Sequence, residues 1–316
     1  MRLPLSGFAA LCLLLAAPPA HATKLMSKTF VCPIGGQKFT ADVYGSYFGY
    51  GGRPDGRPIG TMRGYVPPPE CPGNHLILYR DFSPAEIAAL KPLIASPAYR
   101  GLLETDTVFY RIAWLEHALN PHAPDYVWDL LRATWYVDRD PEKKARYRAH
   151  FLAVAEGMPA SPADMRSMML RLRVLNVYRE TGQFDRALKG LHALPIDDLA
   201  QGLPDTTSDD NDDVYKLSAA DQARWSFVHA ARVLERLIQR QDISPDPIDV
   251  LPNWRQWEEC YFRQPKTAFE TAFCATPDMR AQVDDQKDYF EAERATWDYD
   301  GPILAPPPPP KRKPAR

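Results

Sequence analysis

Cysteine placement constrains this chain more than any other feature of its sequence. Cys32 and Cys71 stand near the front and Cys260 and Cys274 near the back, each pair in irregular, proline-bearing surroundings, with no cysteine in the long stretch between. An even set of thiols in an exported chain reads as two disulfides. Four thiols permit three pairings and the sequence alone does not choose among them, although proximity along the chain favours Cys32 with Cys71 and Cys260 with Cys274. Closing the short Cys260 to Cys274 loop contributes about 3 kcal/mol in the chain-entropy account.

The oxidising compartment is itself an expectation from residues 1–22. Arg2 supplies a positive start, Phe8-Ala9-Ala10 and Leu11 to Ala17 an apolar run, and Ala20-His21-Ala22 a small-x-small cleavage site. The run is shorter than the ~20 residues a spanning helix needs, and Pro18-Pro19 interrupt its end, so a cleaved leader is expected and an uncleaved anchor is the alternative. Cys12 lies inside the apolar run and leaves with the leader, which argues against a lipid-bearing cysteine at the cleavage point. With 38 basic and 40 acidic residues, the chain has no electrostatic footprint for nucleic acid. No later segment is long and apolar enough to cross a bilayer, so the expected location is the periplasm or the extracellular space.

Periodicity divides the rest. Residues 23–82 are expected to form a small β-rich head: Thr29-Phe30-Val31 and Gln37 to Val43 alternate like strands, and His75 to Tyr79 reads as another. Ser83-Pro84-Ala85-Glu86 is a capping box with proline at the first helical position and opens a helical region, 83–200. Helices are expected at about 84–94, 97–118, 124–137, 141–157, 162–181 and 184–193, with start signals at Asp140-Pro141-Glu142 and Ser161-Pro162-Ala163-Asp164. An acidic loop (201–215), a second helical region (216–300) and a disordered, proline-rich basic tail (301–316) follow. Within 216–300, a long helix from Leu217 to about Gln241, an irregular packed segment from Ile243 to Lys266 and a last helix from Pro277 to about Trp297 are expected.

Between Leu172 and Pro195, the residues Tyr178, Gly182, Phe184, Ala187, Leu191 and Pro195 fall where a tetratricopeptide-type hairpin puts its large residue, turn glycine, ring, small contact, apolar residue and closing proline. Phe109 to Val137 has the length of a degenerate partner, with Trp114, Leu115, Trp128 and Leu131 inward. A general helical bundle gives similar spacing.

The head carries two related motifs. Cys32-Pro33-Ile34-Gly35-Gly36-Gln37-Lys38-Phe39 has the shape of a zinc knuckle with Gly35 where the second thiolate belongs, and Cys71-Pro72-Gly73-Asn74 repeats it with Asn74 in the fourth ligand position. With Asp81-Phe82-Ser83 entering a helix and the later hairpin, the chain from about Lys24 to Pro195 resembles the bacterial family catalogued as domain of unknown function 2225. That resemblance implies a zinc-ribbon head joined to a helical repeat body, with no activity attached. A structural zinc site wants four nitrogen or thiolate ligands, and two thiols are too few. The resemblance therefore implies Cys32 and Cys71 facing each other as a disulfide in place of the metal, the alternative being a residual metal site that recruits His75.

The loop from Tyr44 to Tyr65 is a candidate ligand site, with Tyr47, Tyr50, Arg53, Arg57 and Tyr65 offering stacking faces and forked donors to a sugar or an anionic peptide. The plainer expectation is that the rings cover the small sheet and the arginines are solvated. Asp209 to Asp213 lacks the glycine and glutamate of a calcium loop and reads as a solvated turn. No Gly-x-Ser-x-Gly elbow, His-Glu-x-x-His helix or phosphate-binding glycine loop is present. His117, His150, His192 and His229 fall within helices as packing or surface residues, and Glu258-Glu259 are adjacent and point apart, unlike a glycosidase pair. The sequence therefore predicts a mainly α fold of stacked, tetratricopeptide-like hairpins with a small disulfide-stapled β head. It predicts no catalytic residues, metal or cofactor. The leading expectation for function is a non-enzymatic envelope interaction or scaffold protein; a ligand-binding module using residues 44–65, or a tail with Lys311, Arg312, Lys313 and Arg316 on anionic lipid or polymer, are the alternatives.

Overall fold

The computed structural model describes residues 24–60, 66–121, 123, 125–207 and 212–293. The expected leader, Tyr65, the centre of the acidic run and the basic tail lie outside the described residues.

The head opens with β1 (Lys24–Val31) and β2 (Lys38–Ser46), an antiparallel pair in which Phe30 faces Phe39 and Val31 faces Lys38. A second hairpin, β3 (Gly49–Gly52) and β4 (Pro58–Gly60), follows. The two cysteine motifs fold into matching reversals. Cys32 N donates to Gln37 O and Gly36 N to Cys32 O, while Cys71 N donates to Leu76 O and His75 N to Cys71 O. Gly36 and His75 occupy the same left-handed position, with φ of 69° and 63°. Cys32 and Cys71 are joined by a disulfide with Cα atoms 5.8 Å apart. Asn74 ties the reversals together: its Nδ2 donates to Ile34 O at 2.7 Å and its Oδ1 accepts from Leu76 N at 3.0 Å.

That second reversal corrects the expectation of a strand from His75 to Tyr79. Its backbone groups are spent closing the turn, and only Glu70 and Ile77 pair across it. The apolar residues that suggested a strand serve instead as core, with Leu76 and Ile77 fully buried.

Helices follow: α1 (Pro84–Ala95), α2 (Pro97–Thr105), α3 (Val108–Leu119), α4 (Tyr126–Thr134), α5 (Pro141–Ala155), α6 (Met165–Glu180), α7 (Phe184–His192) and the short α8 (Ile196–Ala200). The Ser83 capping box forms as its sequence predicts. The expected single helix 97–118 is two helices, because Thr107 caps α3 by accepting from Tyr110 N. Asp164, rather than Ser161, caps α6. The hairpin of α6 and α7 turns at Gly182, whose φ of 74° closes the reversal without a Cβ penalty, and Ala187 is fully buried where the two helices meet.

After the acidic loop, α9 (Ala219–Gln239) packs on α6, α7 and α8. The segment expected to be irregular contains a helix, α10 (Asn253–Phe262), followed by α11 (Ala268–Cys274), α12 (Pro277–Asp285) and α13 (Lys287–Glu293). A disulfide between Cys260 and Cys274, with Cα atoms 5.4 Å apart, ties α10 to α11. None of the described helices is long and apolar enough to cross a membrane.

Three apolar cores result. The largest gathers Leu131, Phe151, Leu172, Leu175, Leu191, Phe227 and Leu234 from α4 to α9. The second is centred on Cys32, Cys71 and Leu76, which pack on Leu90, Ile94 and Tyr99 of α1 and α2. The third joins Ile77 to Phe109, Ile112 and Tyr147. The head is therefore seated on the body, not appended to it.

Candidate functional site

The chemistry of this chain concentrates where the β3–β4 hairpin meets the helices. Arg53-Pro54-Asp55-Gly56 forms a tight turn closed by Gly56 N donating to Arg53 O at 2.8 Å. Pro54 suits the first inner position, and Asp55 steadies the turn by accepting from Arg57 N at 2.8 Å. Gly56 has φ of 91°, which favours glycine, and a Cβ there would lie 2.8 Å from Arg173 Nε and push that guanidinium aside.

The turn enters the helical body. Arg53 forks onto Asp246, with Nε donating to Oδ1 at 2.5 Å and Nη2 to Oδ2, while Nη1 donates to Asp138 Oδ2 at 2.7 Å. Arg57 donates to Trp135 O at 2.7 Å and lies over the Tyr136 ring, and Arg173 donates to Pro54 O at 2.6 Å. Paired, forked contacts of this kind are the strong class of charged hydrogen bond. Burial alone would push the Asp246 carboxyl up, but Arg53, Arg255 and Arg57 outweigh it and hold it below the usual carboxylate range.

The network continues into the body. Lys144 also pairs with Asp138, and Arg148 pairs with Glu180, which accepts from Asn176 Nδ2 at 2.7 Å. Arg179, fully buried, donates to Asn176 Oδ1 at 2.9 Å and to Ser244 O at 2.9 Å. Burial, reinforced by the Arg148 cation, pushes the Lys144 amine down to about 7 against the opposing pull of the Asp55 and Asp246 carboxylates. Beside this network an open cleft of about 460 Å³ runs between α5 and the end of α6, lined by Lys144, Arg148, Leu152, Glu180, Ile243 and Pro245. A second cleft of about 570 Å³ shares Ile243 and Pro245 with it and reaches Phe269. Ile243, 57% exposed, sits where the two clefts meet, and Phe269, 40% exposed, lines the second.

The candidate ligand loop is therefore divided. Arg53 and Arg57 are buried and bonded, which corrects the expectation that they are solvated and takes both guanidinium groups away from an external ligand. The rings face the other way: Tyr47 and Tyr50 are 51% and 40% exposed, so they do not bury themselves over a sheet. The sequence spacing of Arg53 and Arg57 cannot reveal their partners, because Asp138 and Asp246 are 85 and 193 residues away from Arg53. One signal was available. Arg173, Asn176 and Glu180 recur at helical spacing in α6, between the buried apolar residues Leu172, Val174, Leu175 and Val177, a polar stripe on a helix that the structure largely buries.

Other sequence candidates find structural partners. His75 Nδ1 lies 2.8 Å from Glu70 Oε1, and Arg111 forks onto the same carboxylate at 2.8 and 3.1 Å, seating the second reversal on α3. The described residues contain no cluster of three or more His, Cys, Asp or Glu placed to hold a metal. Glu258 and Glu259 pair with Arg255 at 3.1 and 2.9 Å, and Glu259 also accepts from Arg263, so both brace α10. His150 bonds Tyr110, His192 bonds Glu235, His117 packs against Tyr126 and His229 stacks on Trp225. Comparison with protein-family models, with curated proteins and with solved structures gave no match, so the fold and the site stand on this chain's own residues.

Proposed function

We propose that this chain is an exported, non-enzymatic interaction protein of the bacterial envelope whose helical body presents a binding cleft to another protein. The observation that carries the reading is the pair of open clefts meeting at exposed Ile243, beside a charge network that holds head and body together. Apolar residues shown at the mouth of a cleft and rimmed by charged groups fit protein recognition. The two disulfides suit an oxidising compartment. The α6–α7 hairpin, with its glycine turn and buried Ala187 and Leu191, supports a tetratricopeptide-like reading of this part of the body.

A photo-crosslinking residue placed at Ile243, with Tyr215 (84% exposed) as the control position, tests it in intact envelopes. The expected result is an adduct of one defined mass from position 243 that is missing from position 215. Identical patterns from both positions, or no adduct from position 243, would reject the reading.

A further inference from the structure

We infer that α10 and α12 carry a second site, a cleft for a neutral oligosaccharide, separate from the clefts at Ile243. Trp257, Asn253 and Gln256 on α10 face Asp278, Met279 and Gln282 on α12 across about 350 Å³ of open space. On α10 the three stand at i, i+3 and i+4, which places them on one face. Gln256 is held by donating to Leu251 O at 2.7 Å.

The makeup of the lining selects the ligand. An indole offers an apolar face to the axial C–H groups of a pyranose ring, while three amides and a carboxylate supply the paired donors and acceptors that hydroxyl groups demand. Phosphate or nucleic acid wants guanidinium or ammonium groups, and none lines this cleft. An apolar peptide wants a more apolar wall than one tryptophan and one methionine provide. A second pair of rings lies near the cleft without lining it. Trp254, three residues before Trp257 on the same helix, meets Tyr50 edge-to-face at 6.0 Å, and Tyr50 lies on the exposed ring surface with Tyr47. The volume of about 350 Å³ has room for more than one pyranose ring, so a short chain of sugars matches the cleft.

The walls are braced before any ligand arrives. The Cys260–Cys274 disulfide, the Thr267–Glu270 capping box and the Arg255 and Arg263 ion pairs fix α10 against α11, which in turn packs on α12. A site on rigid elements loses less freedom on binding.

Calorimetric titration of the full chain with cellohexaose and with chitohexaose tests the inference. Saturable binding of at least one, with a submillimolar dissociation constant, is expected. Trp257→Ala should weaken it about tenfold or more and Gln282→Ala about threefold, with the circular dichroism spectrum retained. Gln282 is exposed, so its substitution reports on the site even where loss of the indole disturbs folding. No saturable heat from either hexaose up to about 5 mM, a concentration that would still reveal a millimolar complex, or unchanged affinity in the Gln282→Ala variant, overturns the proposal.

Discussion

Head and body are held together by different physics. The body buries Phe151, Leu172, Phe227 and their neighbours in one continuous apolar core drawn from six helices, so its order comes from area removed from water. The head's first hairpin is mostly exposed along β1, and two-stranded ribbons are marginal alone. The head adds to a small apolar seat, Leu76 and Ile77 packed on the helices, a set of point attachments: one disulfide, Asn74 across the two reversals, Arg111 on Glu70, and the Arg53 turn inserted between Asp138 and Asp246. A core distributes its stabilisation over many contacts. A latch concentrates it in a few, so single substitutions can release the head while the body stays folded.

Phe151→Ala is the sharpest probe of the body. It should cost about 3–5 kcal/mol and lower protection from hydrogen exchange throughout α4 to α9, measured alongside denaturant unfolding. Protection lost in the head alone would break the comparison from the body's side. Arg53→Ala, next in size, leaves Asp138 and Asp246 short of a buried partner and should cost about 3 kcal/mol, read as faster exchange at residues 24–60 with α6 still protected. Exchange rising equally in α6 would show that the latch belongs to the body's cooperative unit.

Replacing Cys32 and Cys71 together with alanine should cost about 2–4 kcal/mol, felt first in the head, because the disulfide closes the covalent loop there. Asn74→Ala removes the bond to Ile34 O and should cost about 1 kcal/mol, visible in thermal unfolding of the reduced chain more than of the oxidised one. The response of the carboxylates to pH should be the smallest effect near neutrality, where they are already ionised. Lys144, whose amine is pushed down to about 7, adds stability as pH rises above that value toward its unfolded one. Asp246 and Glu70 are carboxyls held below their ordinary range, so their contribution is complete above the unfolded values near 4 and is lost as pH falls through the lower folded ones. Asp246→Asn should flatten the acid side of a stability profile, and a slope equal to that of the unsubstituted chain would remove the latch from the account.

Several features of the fold were legible in the residues. The Ser83 box, the Asp140 cap, the Gly182 turn and the helices α1, α4, α5, α6, α7 and α9 follow from patterns that act within one or two helical turns, whereas the break between α2 and α3 and the short α8 were not expected. The expected strand from His75 failed because apolar runs of that length serve strands and buried turns equally well, and the Asn74 bonds decide between them. The α10 helix was obscured by its flanking prolines. Its tryptophans and adjacent glutamates read as irregular packing until Arg255 and Arg263 are seen to pair with those glutamates.

The candidate loop shows the limit most clearly. Its residue types were identified, but their division was not, since arginine and tyrosine at neighbouring positions carry no local mark of which will face inward. By itself the sequence determined most of the caps, the Gly182 turn and the order of the longer helices, because each depends on hydrogen bonds or spacing between near neighbours; it favoured the thiol pairing by proximity without choosing it. Only the tertiary structure decided that Arg53 spans from the head to Asp138 and Asp246, that α6 buries its polar stripe, and that Tyr47 and Tyr50 remain outside. Those outcomes depend on charges brought together from distant parts of the chain, where Coulomb attraction and desolvation act on positions in space and are blind to order along the backbone.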